Sequence, residues 1–249
     1  MGKMLLVFAH PDDESFAVGG AVPKYVAGGW QVDLVCATRG EAGSRGPYDA
    51  ASPEKLAKIR ESELQQAATI LGIASVVFLD YPDGTLNQLH AGELEDKLNR
   101  IMTVYQPDIV ITFEPGGISN HPDHIRLSIA ATFAFQKYAA TNEKAKLYFV
   151  CVPQSQVAYF IKQKIIPGES FSLPWKGTED KLISHVIDIR RFRRKKIRAL
   201  NCHISQREDI ARFLSLSSNI LLRQEYFVMR FHGRHESFMG KYDRVAGRL

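Results

Sequence analysis

Short apolar runs alternate with helix-spaced segments through the first 150 residues of this 249-residue chain. KMLLVFA reads as a strand and Phe16 to Ala27 as a helix ending at Gly28-Gly29, because glycine closes helices readily. QVDLVCAT is a second strand. Ser52-Pro53-Glu54 opens a helix to about Leu71 with Gly72 as its stop, since proline suits the first helical position. ASVVFL is a third strand, Ala91 to Tyr105 a helix, and DIVITF a fourth strand; a helix from about Pro122 to Ala140 leads to KLYFVCV. Strict alternation implies right-handed crossovers. The expected fold is therefore α/β, a doubly wound, mostly parallel, Rossmann-like sheet.

After Pro153 the pattern loosens. QVAYFI, HVIDI and EYFVMRF read as strands and Ile189 to Asn201 as a helix, with Pro167-Gly168 and Pro174 marking a loop-rich insertion. The expectation is one domain over 1–249: a core of about 1–153, a smaller α+β cap of about 154–232 built on it, and a polar tail of 233–249.

Composition narrows the class. The chain is 45% hydrophobic and 24% charged, as in an ordinary soluble globular protein. No apolar run approaches the roughly 18 residues of a membrane span, so stable membrane insertion is not expected. Three scattered cysteines, Cys36, Cys151 and Cys202, suit neither a disulfide framework nor a zinc knot, and a reducing cytoplasm is the default location. The net charge of +5 is local to RRFRRKKIR, Arg190 to Arg198. There Ile189, Phe192, Lys196 by its stem, Ile197 and Leu200 recur at helical spacing beneath a basic face. That face reads as solvated or as an attractor for an anionic substrate or surface. Nucleic acid is not expected, because no aromatic interleaving accompanies the charge.

The polar residues fall where such a sheet binds ligands. HPDDE, TRGEAG, DYPDGTL and EPGGISNHPDH each follow one of the first four strands, and the carboxyl ends of parallel strands lie along one edge. His10 and Asp13 sit just after strand one, stiffened by Pro11. His121 and His124 fall at i and i+3 at a helix start. Zinc hydrolases use three ligands from His, Asp or Glu and leave a position for water. His10, Asp13 and His124 form such a set, leaving Asp12 to take a proton from an acidified water and His121 to steady an oxyanion and protonate a departing nitrogen. Either half alone could be a polar turn; the two halves together point to a metal site.

AHPDDE, ATRGEAG, YPDGTL and HPDH resemble the LmbE-like deacetylases, the family of N-acetylglucosaminyl-phosphatidylinositol de-N-acetylase (PIG-L). KKIRALNCHISQ is similar to the family's K-x-x-A-L-x-x-H-x-S-Q segment, and matches run from about residue 4 to 228. The resemblance implies deacetylation of a small N-acetylglucosamine-type sugar conjugate. It implies His10, Asp13 and His124 as ligands of a divalent metal, zinc first and Fe2+ as the alternative. By the same resemblance Asp12 is the general base, and His121 stabilises the transition state and protonates the amine. Asp123 orients and charges His121, Arg39 lies on the substrate side, and Asp83 lines the sugar pocket. Glu41 shapes the Arg39 loop, while His203 and Gln206 lie near the site's wall. Small homo-oligomers are common in the family. One departure is Ser119, where many members carry a tyrosine that assists at the oxyanion.

Several residues have plainer readings. Glu14 caps or braces the following helix, His90 is solvated, and the HGRHE segment is a surface loop or a subunit contact. Gly116-Gly117 offers N–H groups to an anion or lets the loop turn sharply, and Gly19-Gly20 permits close packing. Two alternatives stay open at this point. Two histidines and a carboxylate also describe non-haem iron oxygenases, and a carbohydrate- or nucleotide-binding protein could hold a structural metal at the same edge.

Overall fold

The structure is a computed structural model that describes residues 1–215 and 220–236; part of the expected polar tail, 237–249, lies outside the described residues. Five strands form the parallel core: β1 (Lys3–Phe8), β2 (Gln31–Thr38), β3 (Ser75–Tyr81), β4 (Ile109–Phe113) and β5 (Lys146–Cys151). They run in the order β3-β2-β1-β4-β5, all parallel. β1, β2 and β4 are almost wholly buried, as strands covered by helices on both faces must be.

Helices α1 (Asp13–Val18) and α2 (Ala21–Ala27) join β1 to β2, and α3 (Pro53–Leu71) joins β2 to β3. Ser52 Oγ caps α3 by accepting from the N–H of Lys55 at 3.3 Å, and Gly72 closes it with φ 85°. Beyond β3, α4 (Glu93–Tyr105) leads to β4. The short α5 (Gly117–Asn120) and the long α6 (Pro122–Ala139) then lead to β5. The chain next forms α7 (Gln154–Lys162), the hairpin of β6 (Glu169–Ser170) and β7 (Leu173–Pro174), and β8 (His185–Asp188). It ends in α8 (Arg193–Leu200), α9 (Arg207–Leu214), β9 (Gln224–His232) and β10 (His235–Glu236). β9 adds antiparallel to β5, and β8 and β10 pair with its far edge. The later segment thus extends the same sheet.

Two expectations are corrected. Phe16 to Ala27 is two helices, because the buried Glu225 carboxylate accepts from the N–H groups of Gly20 (2.9 Å) and Ala21 (2.7 Å) and starts a new helix there. A Cβ on Gly20 would lie 2.5 Å from Ile189, so the glycine pair does permit close packing. QVAYFI belongs to α7, with Val157 and Phe160 buried at i and i+3; an apolar run this short does not separate helix from strand by pattern alone. The basic segment is a 3-10 turn followed by α8, and it buries Ile189, Lys196 and Leu200 beneath exposed arginines.

Candidate metal centre and its cavity

Strand order reverses between β1 and β4, so their carboxyl ends open a crevice. The two histidine-bearing segments meet there. Asp13 Oδ2 accepts from the N–H groups of Ala9 (3.2 Å) and His10 (2.8 Å), tying the turn after β1. The His10 ring projects toward the first turn of α6, which holds both Pro122 and His124. His10 Nδ1 and His124 Nε2 lie 3.0 Å apart. Asp13 approaches both, at 3.7 Å from His10 Nδ1 and 3.4 Å from His124 Nε2.

The proton inventory shows what fits between them. His124 Nδ1–H donates to the Gly117 carbonyl at 3.1 Å, which leaves a lone pair on Nε2. His10 Nε2 meets Asp83 Oδ1 at 2.9 Å and Asp123 Oδ2 at 3.4 Å, which keeps a proton on Nε2 and makes Nδ1 the atom free to ligate when the ring is neutral. In the protonated, metal-free ring the Nδ1–H of His10 fills the gap by donating to His124 Nε2; once that proton leaves, two lone pairs beside a carboxylate face a cation. A divalent metal satisfies the set, and the carboxylate-to-histidine bonds behind it match the outer shell usual for metal-binding histidines. The titration of the protein-only site expresses the same pull. Burial lowers the His10 pKa, but Asp123, Asp83 and Asp13 outweigh it and carry it up to about 10. Burial raises Asp13 to about 7 against the attraction of His10. The ligating atoms of His10, His121 and His124 form one candidate group, and those of His10, Asp83 and Asp123 a second.

Asp12 and His121 flank the cluster. Asp12 has φ 121°, a conformation disfavoured for any residue with a Cβ. Three hydrogen bonds from two side chains hold this turn. Glu14 Oε2 accepts the Asp12 N–H at 3.1 Å, and Arg60 Nη2 donates to Asp12 Oδ2 at 3.2 Å and to the Pro11 carbonyl at 2.6 Å. Burial raises the Asp12 pKa and Arg60 opposes the rise. His121 Nδ1 accepts the N–H of Asp123 at 3.2 Å, so a neutral ring carries its proton on Nε2. Burial, then the positive His10, lower His121 to about 4. Its ring lies 4.8 Å from that of Phe171.

The structure redistributes several expected roles. The Asp123 carboxylate does not hydrogen-bond His121; it faces His10 and accepts from the N–H groups of Gly84 (2.8 Å) and Leu86 (3.0 Å), while its charge still favours protonated His121 against burial. Asp83 lines the cavity as expected, yet one of its oxygens is committed to His10. Arg39 is absent from the cavity wall. Glu61 and Asp80 bind its guanidinium, which lies over the Phe78 ring at 4.4 Å, because two acids and a ring at this end of α3 and β3 satisfy it locally. Glu41 Oε1 accepts the N–H of Asp83 at 2.9 Å and does shape the loop.

Residues near the wall take definite places. Glu14 is fully buried and receives His203 Nε2 at 2.9 Å and the Ser15 hydroxyl at 2.5 Å, so it braces Asp12 as well as the helix. Gln206 faces the cavity and exchanges hydrogen bonds with Ser44. Gly116-Gly117 serves the turn, since a Cβ on Gly117 would stand 2.8 Å from that of His124. No tyrosine replaces Ser119 among the described residues of the wall: the Tyr226 hydroxyl donates to Gln224 at 2.7 Å. Sequence reasoning missed Arg60, although a charge among Leu56, Leu64, Ala67 and Leu71 on one stripe of α3 is a legible signal.

The cluster opens into a cavity of about 590 Å³. Ser44, Arg60, Asp83, Gln206 and Arg212 supply polar wall, and residues of β5, of α7 and of the segments flanking the hairpin supply apolar wall. No described helix is long and apolar enough to cross a membrane.

Known proteins resemble this chain in sequence and fold. A deacetylase of 1D-myo-inositol 2-acetamido-2-deoxy-alpha-D-glucopyranoside from Acidothermus cellulolyticus is 32% identical, over 91% of this chain and 88% of its own length. The solved structure of N,N'-diacetylchitobiose deacetylase from Pyrococcus horikoshii has a TM-score of 0.65 at 25% identity, over 93% of this chain and 84% of that one. GalB, the 4-carboxy-2-hydroxymuconate hydratase of Pseudomonas putida, reaches 0.66 at 20% identity, over 96% of this chain and all 100% of that one; at that identity it shows the fold alone, which does not fix a reaction. Residues 5–135 match the family model described as GlcNAc-PI de-N-acetylase, PIG-L. With that match and the relative from Acidothermus, the chain belongs to the PIG-L de-N-acetylase family.

Proposed function

We propose that this protein is a metal-dependent hydrolase that removes the acetyl group from a small N-acetylglucosamine-type conjugate. One observation carries the reading: His10 Nδ1 and His124 Nε2 face each other at 3.0 Å with Asp13 beside them, while Asp12 lines the same cavity uncommitted to the cluster. Family membership supports it.

His10, Asp13 and His124 would hold the ion. Two imidazoles and a carboxylate suit zinc, with Fe2+ as the alternative. When bound, the metal supplies a Lewis acid that polarises the acetamide carbonyl and acidifies a water. Asp12 takes the proton of the attacking water. Its pKa, raised by burial against Arg60, lets it hold that proton and return it to the nitrogen. His121, neutral at its lowered pKa, donates its Nε2–H to the carbonyl oxygen as charge gathers there; in that charge state it gives a hydrogen bond where the motif implied a proton. Asp83 and Asp123 hold the His10 ring through Nε2. The hydroxyl joins the carbonyl carbon, the C–N bond breaks, the nitrogen receives the proton, and acetate and free amine leave.

A reducing cytoplasm suits the three free thiols. Ile129 and Phe133, exposed one turn apart on α6, suit contact in a homo-oligomer.

The test is amine release across N-acetylglucosamine conjugates, run anaerobically with zinc after chelation and metal analysis. Turnover restored by zinc is expected, and dependence on oxygen or no cleavage across the panel refutes the proposal. Asp12→Asn is expected to keep its metal and lose roughly 10²–10⁴ in kcat; near-normal turnover removes Asp12 from the role of base.

A further inference from the structure

The cavity offers more apolar wall than an acetamide and a sugar can use. Hydrolysis of a sugar acetamide needs polar partners for the hydroxyls and room for one methyl group. The side formed by Ser44, Arg60, Asp83 and Gln206 meets the polar need. The cavity is also lined by Val150 and Val152 at the end of β5, Val157 and Phe160 of α7, and Ile165 and Trp175 beyond it. Val157 and Phe160 are themselves buried, so this wall is packed from behind and not a chance exposure of loose side chains. Nothing in the hydrolytic chemistry engages it.

A second observation brings the apolar surface up to the reacting centre. Ile118 has φ 62° and ψ −53°, a strained conformation that β-branched residues avoid. The Glu114 carboxylate enforces it, accepting from the N–H groups of Gly116 and Ile118 at 2.6 Å each. A turn of this shape is best served by glycine or asparagine, so local geometry does not call for isoleucine. The isoleucine side chain packs in part against the core and also gives a hydrocarbon face to the cavity wall, which Ser119, His121 and His124 line as well.

We infer that the natural substrate carries an apolar chain of several carbons close to the scissile amide, and that Ile118 and the α7 wall receive it. The inference rests on the deacetylase reading for the reacting end. The same hydrocarbon chemistry has two possible sources, an N-acyl chain longer than acetyl or an alkyl-bearing aglycone. A cavity of about 590 Å³ has the volume of sites that enclose a ligand larger than a monosaccharide.

Two series test it: glucosamine N-acylated with acetyl through hexanoyl, and methyl through hexyl glycosides of N-acetylglucosamine. Each methylene buried in the chamber is expected to raise kcat/KM about four-fold, so four of them raise it by roughly two orders of magnitude. A rise in the acyl series supports the inference with the acyl group as source, and a rise in the glycoside series supports it with the aglycone as source. If short substrates are cleaved and neither series rises, the inference is overturned.

If no amide is cleaved at all, the deacetylase reading fails and the chamber is judged separately, by calorimetric binding of hexyl against methyl glucoside. Tighter hexyl binding supports the chamber, and equal affinity overturns it. Val157→Asp is expected to bring the long-to-short ratio close to one. Ile165→Glu, at a half-buried position that does not test the fold, is expected to do the same. An unchanged ratio in folded Ile165→Glu also overturns the inference.

Discussion

Replacing Arg60 by methionine keeps most of the apolar stem and removes a buried guanidinium that has three acceptors: the carbonyls of Gly40 (2.8 Å) and Pro11 (2.6 Å) and the Asp12 carboxylate (3.2 Å). An unsatisfied buried acceptor costs about 1–3 kcal/mol, so two orphaned carbonyls destabilise the fold by about 2–6 kcal/mol. Set against the 5–15 kcal/mol typical of a domain, this leaves a variant that folds at 25 °C with a visibly lower Tm. The effect on catalysis is separate. Asp12 is held at φ 121°, a geometry worth about 1–3 kcal/mol of strain, and it relaxes once Arg60 lets go. A misplaced base forfeits much of the roughly 10²–10⁴ that general base catalysis supplies, so kcat is expected to fall by about 10²-fold or more. The pH dependence has a definite sign. Arg60 is the main influence that lowers the Asp12 pKa against burial, so its loss raises that pKa, and the acid limb of the kcat profile moves to higher pH. Arg60→Lys restores charge but, as a compact ammonium, cannot span three acceptors; it should recover part of the Tm and little of kcat. The assay is steady-state kcat and KM with metal content and thermal melts on the same preparations. A folded, metal-loaded Arg60→Met enzyme with kcat within two-fold of wild type refutes the reasoning.

Metal uptake should release protons. With His10 carried up to about 10 and Asp13 to about 7, the metal-free site holds between about one and two protons at pH 7 that bound metal must displace. Zinc affinity therefore falls as pH is lowered, and calorimetry in buffers of different ionisation enthalpy reads the release; buffer-independent heats contradict the assigned ligands. Lys196 and Glu225 form a buried ion pair at 2.7 Å, with side chains 1% and 2% exposed. Lys196→Met is expected to cost about 3–5 kcal/mol by leaving a buried carboxylate without its counter-charge, and Lys196→Met/Glu225→Gln is expected to recover little, because a glutamine has one oxygen for the two N–H groups of Gly20 and Ala21. Urea denaturation of the single and double variants decides this, and a single variant as stable as wild type contradicts it.

What was legible in the sequence divides by the distance over which each signal acts. The bounds of α3 rest on Ser52, Pro53 and Gly72, all local, and could be read directly. Gathering four polar clusters at one edge required only the parallel alternation, which is again local pattern plus a chirality rule. The break between α1 and α2 depends on a carboxylate 205 residues further along the chain, and no window around Gly20 contains it. Arg39 and Arg60 show the limit most clearly. Each is one arginine near the same site, and the one inside the recognisable motif turned outward to Glu61 and Asp80. The one inside the plain helix turned inward. Yet α3 did carry the information: its buried stripe of Leu56, Arg60, Glu63, Leu64, Ala67 and Leu71 contains two charges where only apolar groups can rest unpartnered. Such charges require fixed acceptors and donors on whatever the helix covers. Arg60 finds the turn after β1, and Glu63 finds the N–H and hydroxyl of Ser205 at 2.8 and 2.6 Å. A charged pair on the apolar stripe of a crossover helix thus points at the sheet edge beneath it, and identifies, without any motif, which loops that edge must hold still.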